Sequence, residues 1–345
     1  MPPRILLSWS PNLGGGAGCH LGNKAQSEDS LVKKIVVTGG AGFIGSHLAD
    51  ACCRLPGHPQ VVILDNLRTG RQSNLERILH HSNLAWVQGS ITDPAAVDEV
   101  CRGTDCIFHL AAMVSVPESL LSPLECVDIN VNGTLHLLEA ARRHGVKKMV
   151  LSSSAAIYGD DPELPKHERL RPAPQTPYGI TKLDGEYYLE MARQQYGIST
   201  VSLRYFNVYG PYQDPKSQYA AAVPIFIEQA LQHQAISIYG DGLQTRDFVF
   251  VGDVVAANLW VGQRAELHGV FNVATGTTIT ILELAQTICN IVGSTSPIEH
   301  LAPRPGDIRA SWSDPSKLMA TGFRTGYDLQ NGLQRTLEVL TKQKS

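Results

Sequence analysis

The sequence has no apolar run of the roughly 18 residues that a membrane-spanning helix needs, and "ILLSWS" near its start is too short for the core of a secretion signal. It has no cluster of Lys or Arg either. With 29 basic and 32 acidic side chains the formal net charge is -3, so no basic stripe is available for nucleic acid or for an anionic membrane surface. A small molecule is the expected partner. The seven cysteines (Cys19, Cys52, Cys53, Cys101, Cys106, Cys126, Cys289) are odd in number and form no C-x-x-C pair, which argues against a disulfide framework, a zinc knuckle or a redox dithiol. They read as reduced thiols packed in a cytoplasmic protein. No pair among the twelve histidines has metal-ligand spacing with a supporting carboxylate, so no metal is expected. Internal repeats are lacking too, and residues 1–32, rich in Gly, Ser and Asn, show no apolar periodicity and read as a flexible extension whose "GGGAG" follows no strand.

What remains is a length of 345 residues, enough for two domains or one large α/β domain with a substrate lobe. "KKIVVTGGAGFIGSHLADACC" runs from a β-branched segment through glycines into Ile44, Leu48 and Cys52 at helical spacing. The glycines at 39, 42 and 45 suit a tight turn, close approach of a pyrophosphate and close packing of helix on strand. A second strand, "QVVILD", ends in Asp65 twenty residues after Gly45, where a carboxylate can hold both ribose hydroxyls of a dinucleotide. That charge repels a 2'-phosphate and favours NAD over NADP, although Arg68 and Arg71 follow closely enough to offset it. Alternating segments continue with "LAWVQGS", a helix near 94–101, "CIFHLAA", a helix near 123–144, "KKMVLSSSA" and a helix holding Tyr178. This rhythm specifies a parallel sheet covered on both faces, with "HLAA" and "SSSA" at strand ends facing the cofactor. His109 reads as a structural strand residue. The spacing of Tyr178 and Lys182 puts a phenol and an ammonium one helical turn apart, which is common enough by chance to need support from elsewhere.

That support is a resemblance. From about residue 33 to 340, "TGGAGFIGSHL", "DNLRTG", "HLAA", "NVNGT", "SSSAAIYG", "YGITK", "LRYFNVYGP", "RDFVFVGD" and "RPGD" occur in the order found in the extended short-chain dehydrogenase/reductase family, and the set resembles its UDP-hexose 4-epimerase branch. The resemblance implies a Rossmann-type, doubly wound parallel sheet over 33–206, rejoined by 247–275, with a smaller discontinuous UDP-sugar lobe from 207–246 and 276–345. It makes Tyr178 the catalytic acid/base, Lys182 the grip on the nicotinamide ribose, and Ser154, with Ser153 as fallback, the hydroxyl that holds the reacting sugar oxygen. To act as a base at neutral pH, a phenol must lose about three pKa units, or about 4 kcal/mol, which a nearby Lys supplies only in a partly dry site.

By the same resemblance NAD is lined by Gly39, Gly42, Phe43, Ile44, Gly45, Asp65, Asn66, Ile91, Leu110, Ala111, Ala112, Asn130 and Tyr205. Ser90 replaces an aspartate that many relatives place near the adenine. For the sugar nucleotide, Asn207, Arg246 and Arg304 fall on the diphosphate, Asp307 on the uridine ribose, Tyr239 by the uracil, and Ser115, Val223 and Ser311 along the pocket. "SSSAAIYG" lacks the acidic residue that related dehydratases use to expel water, so epimerisation at C4 is implied. Val114, Ser115 and a small Ser311 point to UDP-GlcNAc and UDP-GalNAc rather than UDP-Glc and UDP-Gal alone. Relatives commonly pair as homodimers through two long helices. A 4-epimerase of UDP-Glc and UDP-Gal only, a dehydratase, a reductase that releases its coenzyme, and a silent NAD-binding scaffold are the alternatives.

Overall fold

The computed structural model describes residues 32–215, 221–303 and 308–342, so the N-terminal extension lies outside the described residues, except for Val32. Its strands are β1 (Lys34–Thr38), β2 (Gln60–Asp65), β3 (Leu84–Gln88), β4 (Cys106–His109), β5 (Lys148–Ser154), β6 (Ser199–Tyr205), β7 (Asn207–Tyr209), β8 (Ile236–Tyr239), β9 (Thr245–Arg246), β10 (Phe248–Phe250), β11 (Gly269–Val273), β12 (Ile279–Thr280), β13 (Ile298–Leu301) and β14 (Ala310–Ser311). The helices are α1 (Phe43–Cys53), α2 (Gln72–Glu76), α3 (Pro94–Cys101), α4 (Val116–Leu121), α5 (Pro123–Val127), α6 (Gly133–His144), α7 (Pro177–Tyr196), α8 (Ala222–Leu231), α9 (Val251–Gly262), α10 (Ile281–Val292), α11 (Ser316–Ala320) and α12 (Leu329–Lys342).

Seven strands form one parallel sheet in the order β11-β6-β5-β4-β1-β2-β3. Strands such as "KIVVT" are apolar on both faces because both faces are covered. On one side, Leu48 and Cys52 of α1 and Val254 and Val261 of α9 share a core with Val37, Ile63 and Leu203. On the other, Val97 of α3, Leu137 of α6 and Leu189 of α7 pack on Val36, Ile107 and Met149. This is the doubly wound Rossmann-type architecture, and β1 and β4 flank the point where the strand order reverses. A third core, with Phe226, Ile238, Leu284 and Leu333, joins α8, α10 and α12 around the short strands of the C-terminal half.

Two elements depart from the sequence reading. The helix expected over 123–144 is α5 and α6 joined by a π-helical turn, Asp128–Asn132. Two local contacts shape it: the Asn130 amide brackets Met113, accepting from its N–H at 2.7 Å and donating to its carbonyl at 3.1 Å, and a Cβ at Gly133 would come within 2.5 Å of Ile91. The returning segment is also split. β11 pairs with β6 in the main sheet, whereas β10 pairs with β7 in a two-stranded sheet of its own. Helices α2, α4, α8, α10, α11 and α12 are additional to those singled out in the sequence, although Val223, Phe226, Ile227 and Ala230 of α8 do stand at helical spacing.

Candidate active site

The glycine turn is built by close approach. Gly39 has φ +72, and a Cβ on it would lie 2.7 Å from the Ala111 amide, so the turn after β1 sits directly against "HLAA" after β4. A Cβ on Gly45 would lie 2.1 Å from the Gly39 carbonyl, which is why α1 can start so close to the strand. Gly42 is the N-cap of α1 and gives no side-chain cap, leaving the first amides of the helix, at Phe43, Ile44 and Gly45, without a side-chain acceptor from that position. Asp65 ends β2, 8% exposed, its Oδ2 accepting from Ala41 N at 2.9 Å and its Oδ1 from Leu67 N at 2.8 Å. These bonds fix the carboxylate beside the turn and leave each oxygen a second lone pair for a ribose hydroxyl. The glycine cradle, the uncapped helix and the fixed carboxylate fit a dinucleotide.

The neighbouring cations are engaged. Arg68 pairs with Glu118 and Glu125, and Arg71 with Asp214, so neither is a standing partner for a 2'-phosphate. Asn66 accepts from Arg68 N at 3.0 Å, and the Ser90 hydroxyl is bonded to Thr92 at 2.8 Å.

The three serines closing β5 divide their work. The Ser152 carbonyl accepts from Lys182 Nζ at 2.9 Å, and its hydroxyl is 2.9 Å from that of Tyr205, itself bonded to Asn258. Ser153 points to the opposite face, donating to Glu186 at 2.6 Å, and Glu186 forms a buried bidentate pair with Arg204. Ser154 is the one that meets the Tyr178 phenol; its oxygen also accepts from Ala156 N at 3.1 Å. The alternation of side chains along a strand thus separates Ser154 from the fallback Ser153.

Tyr178 is placed by α7, whose N-cap Thr176 accepts from Gly179 N at 3.2 Å, with Pro177 in its first turn. Gly179 and Gly185 let α7 lie on β5: a Cβ on either would reach about 3 Å from Ala156 O and from Leu151. Burial raises the Tyr178 phenol, with the Ser154 contact pulling the other way, while burial pushes Lys182 down to about 8. The expected depression of the phenol by Lys182 is not what this geometry produces. The ammonium lies 5.8 Å from the ring centre and directs one of its donors to the Ser152 carbonyl.

Behind these residues runs a buried polar chain. Thr134 donates its hydroxyl proton to Asn130 O at 2.6 Å and so accepts from His109 Nε2 at 2.9 Å; His109 Nδ1 accepts from Thr38 at 2.8 Å. That fixes the Nε2–H tautomer of a neutral imidazole, which burial and then Lys182 hold down to about 3. The Asn130 amide donates to Thr181 at 3.0 Å, and Thr181 donates to Tyr178 O at 3.0 Å. Asn130, expected to line the coenzyme, has its side chain committed to Met113 and Thr181 and supports α7 instead. Tyr205 likewise has its hydroxyl committed, and Ile91 is buried against Gly133. Leu110 and Ala112, flanking Ala111, stay partly exposed at the end of β4.

In the C-terminal half, Ser311 of β14 is the register partner of Arg246 of β9. Asn207 donates to Asp247 O at 2.9 Å, and Gln244 donates to Tyr239 O at 2.9 Å, so Asn207, Tyr239, Arg246 and Ser311 gather around one strand segment. Val223 does not belong with them: its side chain is 1% exposed in the third core. Ser115 caps α4, accepting from Glu118 N at 3.1 Å. Arg304 and Asp307 lie outside the described residues. Among the described residues no group of His, Cys, Asp and Glu could hold a metal, and no helix is long and apolar enough to cross a membrane.

Two supports were missed in the sequence. Ser119, fully buried, accepts from Tyr178 N at 3.2 Å and donates to Val116 O at 2.7 Å, tying α4 to the first turn of α7. The Glu186–Arg204 pair anchors α7 to β6. Glu186 stands eight residues beyond Tyr178 on the same helix face, a spacing that could have flagged it.

Comparison with known proteins agrees with this geometry. The chain is 37% identical over 309 residues to a putative UDP-glucose 4-epimerase of Methanocaldococcus jannaschii, covering 88% of this chain and 97% of the relative. It is 39% identical over 308 residues to the UDP-glucose 4-epimerase of Mycolicibacterium smegmatis, with the same two coverages of 88% and 97%. Among solved structures, the UDP-N-acetylglucosamine 4-epimerase of Methanobrevibacter ruminantium, in complex with UDP-N-acetylmuramic acid, superposes with a TM-score of 0.86 at 38% identity, covering 90% of this chain and 99% of that one. Residues 35–274 match the family model, and with it the glycine turn, the fixed Asp65 and the Ser154–Tyr178–Lys182 cluster: the chain belongs to the NAD dependent epimerase/dehydratase family.

Proposed function

We propose that this protein is a UDP-sugar 4-epimerase that interconverts UDP-GlcNAc and UDP-GalNAc. The observation that carries the reaction type is the contact of Tyr178 with Ser154 at the end of a strand whose neighbours are small and uncharged, Ala155 and Ala156. A hydroxyl pair there can hold the C4 oxygen and move its proton. A 4,6-dehydratase also needs an acid for the C6 hydroxyl, and Glu186 of α7, the carboxylate that accepts from Ser153, is buried and bound to Arg204.

When bound, NAD would take the hydride from C4 and give it back at the end of the cycle, and its positively charged ring would favour phenolate. Tyr178 takes the C4–OH proton as C4 is oxidised, Ser154 holds the resulting carbonyl oxygen, and Lys182 fixes the ribose. The 4-keto sugar turns over, and Tyr178 returns the proton to the oxygen as C4 is reduced on its other face. Atoms balance within one cycle, and the coenzyme is restored. Because burial raises the phenol, its base form depends on the loaded site.

Ser311 supports the N-acetylated pair: a small side chain beside Arg246 leaves room near the sugar's C2 substituent. UDP-Glc and UDP-Gal would also fit, less well or comparably. We further propose a homodimer through the helices near 123–144 and 178–196, since Leu124 on α5 and Tyr187 on α7 are 85% and 61% exposed, with Leu121 of the adjoining α4 80% exposed. NMR of the purified protein with each UDP-hexose, without added coenzyme, tests the reaction. Interconversion of the acetylated pair is the expected result; loss of water from the sugar or no turnover without added NAD would sink it.

A further inference from the structure

The loop that follows Asp65 carries a cation already paired with two carboxylates. Arg68 Nη2 lies 2.8 Å from Glu118 Oε1 and 2.9 Å from Glu125 Oε1. Arg68 follows β2, whereas Glu118 and Glu125 sit on α4 and α5, after β4. In the sheet β1 stands between β2 and β4, so these ion pairs join the two sides of the crevice beyond the carboxyl end of β1, where the Gly39 turn lies. Three residues on, Arg71 donates its backbone N–H to Ala41 O at 2.9 Å and pairs through its guanidinium with Asp214, beyond β7. The segment 66–71 is therefore tied to the glycine turn beneath it and to two other elements across the crevice.

We propose that Arg68, with Glu118 and Glu125, is a coenzyme-retaining clasp: it bridges the mouth of the dinucleotide crevice and slows release of NAD between turnovers. The inference rests on the assignment of that crevice to NAD. An enzyme that oxidises and re-reduces one sugar in a single visit must keep its reduced coenzyme through the turnover of the keto sugar, and nothing in the proton-moving cluster of Tyr178, Ser154 and Lys182 holds the adenosine end. A bridge from β2 to α4 spans that end. It also accounts for two acidic residues facing a loop that binds an anionic ligand: they occupy Arg68 and leave the carboxylate of Asp65 unopposed. The side chains of Arg68, Glu118 and Glu125 are 30%, 33% and 49% exposed, so the clasp is open to screening by salt.

The test is exchange of bound NAD for isotopically labelled NAD in the purified holoprotein, at low and at high salt. Arg68→Ala, and separately Glu118→Gln with Glu125→Gln, should each raise the exchange rate about fivefold at low salt, and all three changes together no further, because they break one unit. High salt should speed exchange in the parent and leave the variants nearly unchanged. Equal rates in parent and variants, or effects that simply add, would overturn the clasp. So would a fall in the apoprotein's melting temperature large enough to account for the faster exchange, which would mark an ordinary structural pair. A parent that carries no NAD and takes none up would overturn the crevice assignment and the clasp with it.

Discussion

Lys182 donates from Nζ to the carbonyl of Ser152 at 2.9 Å, two residues before the serine that meets the Tyr178 phenol. One strand end therefore sets the height of both groups of the Tyr-x-x-x-Lys turn. If Tyr178 moves the proton, Tyr178→Phe should cut turnover by at least roughly 10²-fold, the usual contribution of a general base, while retained NAD is unchanged because the phenol holds no part of the adenosine site. Single-turnover assays with NAD quantified in the same sample would check both. Near-normal turnover in the variant would remove the phenol from the mechanism.

Asp65 bears on coenzyme choice. With Arg68 and Arg71 engaged by carboxylates, a 2'-phosphate meets the Asp65 charge with no free cation to offset it. Asp65→Ala should weaken NAD binding and narrow the gap between NAD and NADP. It should also cost about 1–3 kcal/mol of stability, since the amides of Ala41 and Leu67 lose their acceptor. Calorimetric titration of both coenzymes into apoprotein decides the matter; a parent that binds NADP as well as NAD would show the charge argument to be wrong.

Much of this was legible in the sequence where a local rule was strong. β-branched runs closed by glycines gave β1 and the start of α1, and the alternating rhythm placed α3 near 94–101 and a helix at Tyr178. The Asn130 turn was not legible, because a π-helical turn arises from tertiary bonds to Met113 and Thr181 that leave no periodic trace. Among Ser152, Ser153 and Ser154, three identical residues carry no register of their own, and it was resemblance that singled out Ser154, with Ser153 as fallback, for the Tyr178 contact. Val223 was assigned to the pocket by resemblance, yet its place on α8 turns it into the core.

The neutral His109 makes a prediction about acid stability. Its folded value of about 3 lies below the ordinary 6.5, so its contribution is fully present above pH 6.5 and is lost as pH falls toward 3. At pH 5 the loss from this one group is about 2 kcal/mol relative to neutral pH. His109→Gln keeps an acceptor and a donor but cannot take up the proton. Denaturant unfolding at pH 5 and at neutral pH should show that the variant, though less stable at neutral pH, loses about 2 kcal/mol less than the parent on acidification. The parent-to-variant difference isolates this group from His47, which burial also holds down, to about 4. Parallel pH slopes would mean that His109 takes up its proton as easily folded as unfolded.

Ser311 and Arg246 face each other across β14 and β9, and Asp247 N donates to Ser311 O at 2.9 Å, so the backbone at Ser311 is fixed and only its side chain is free to vary. Replacing that hydroxymethyl group with a phenol adds a ring's volume at one rigid point. Overpacking of this kind usually costs about 1–3 kcal/mol, which is roughly 5- to 150-fold in a rate or an affinity, and in the proposed pocket an acetamido group at C2 would need the same space that the ring would fill. UDP-Glc and UDP-Gal, with only a hydroxyl at C2, make no such demand. Ser311→Tyr should therefore lower kcat/KM for UDP-GlcNAc and UDP-GalNAc by at least about tenfold and leave the values for UDP-Glc and UDP-Gal within about threefold of the parent. The loss should appear with NAD content and melting temperature unchanged, since Ser311 touches neither the crevice nor the main core. A parent inactive on the acetylated pair, or a tyrosine variant that keeps full activity on it, would place the determinant of sugar choice elsewhere in the lobe.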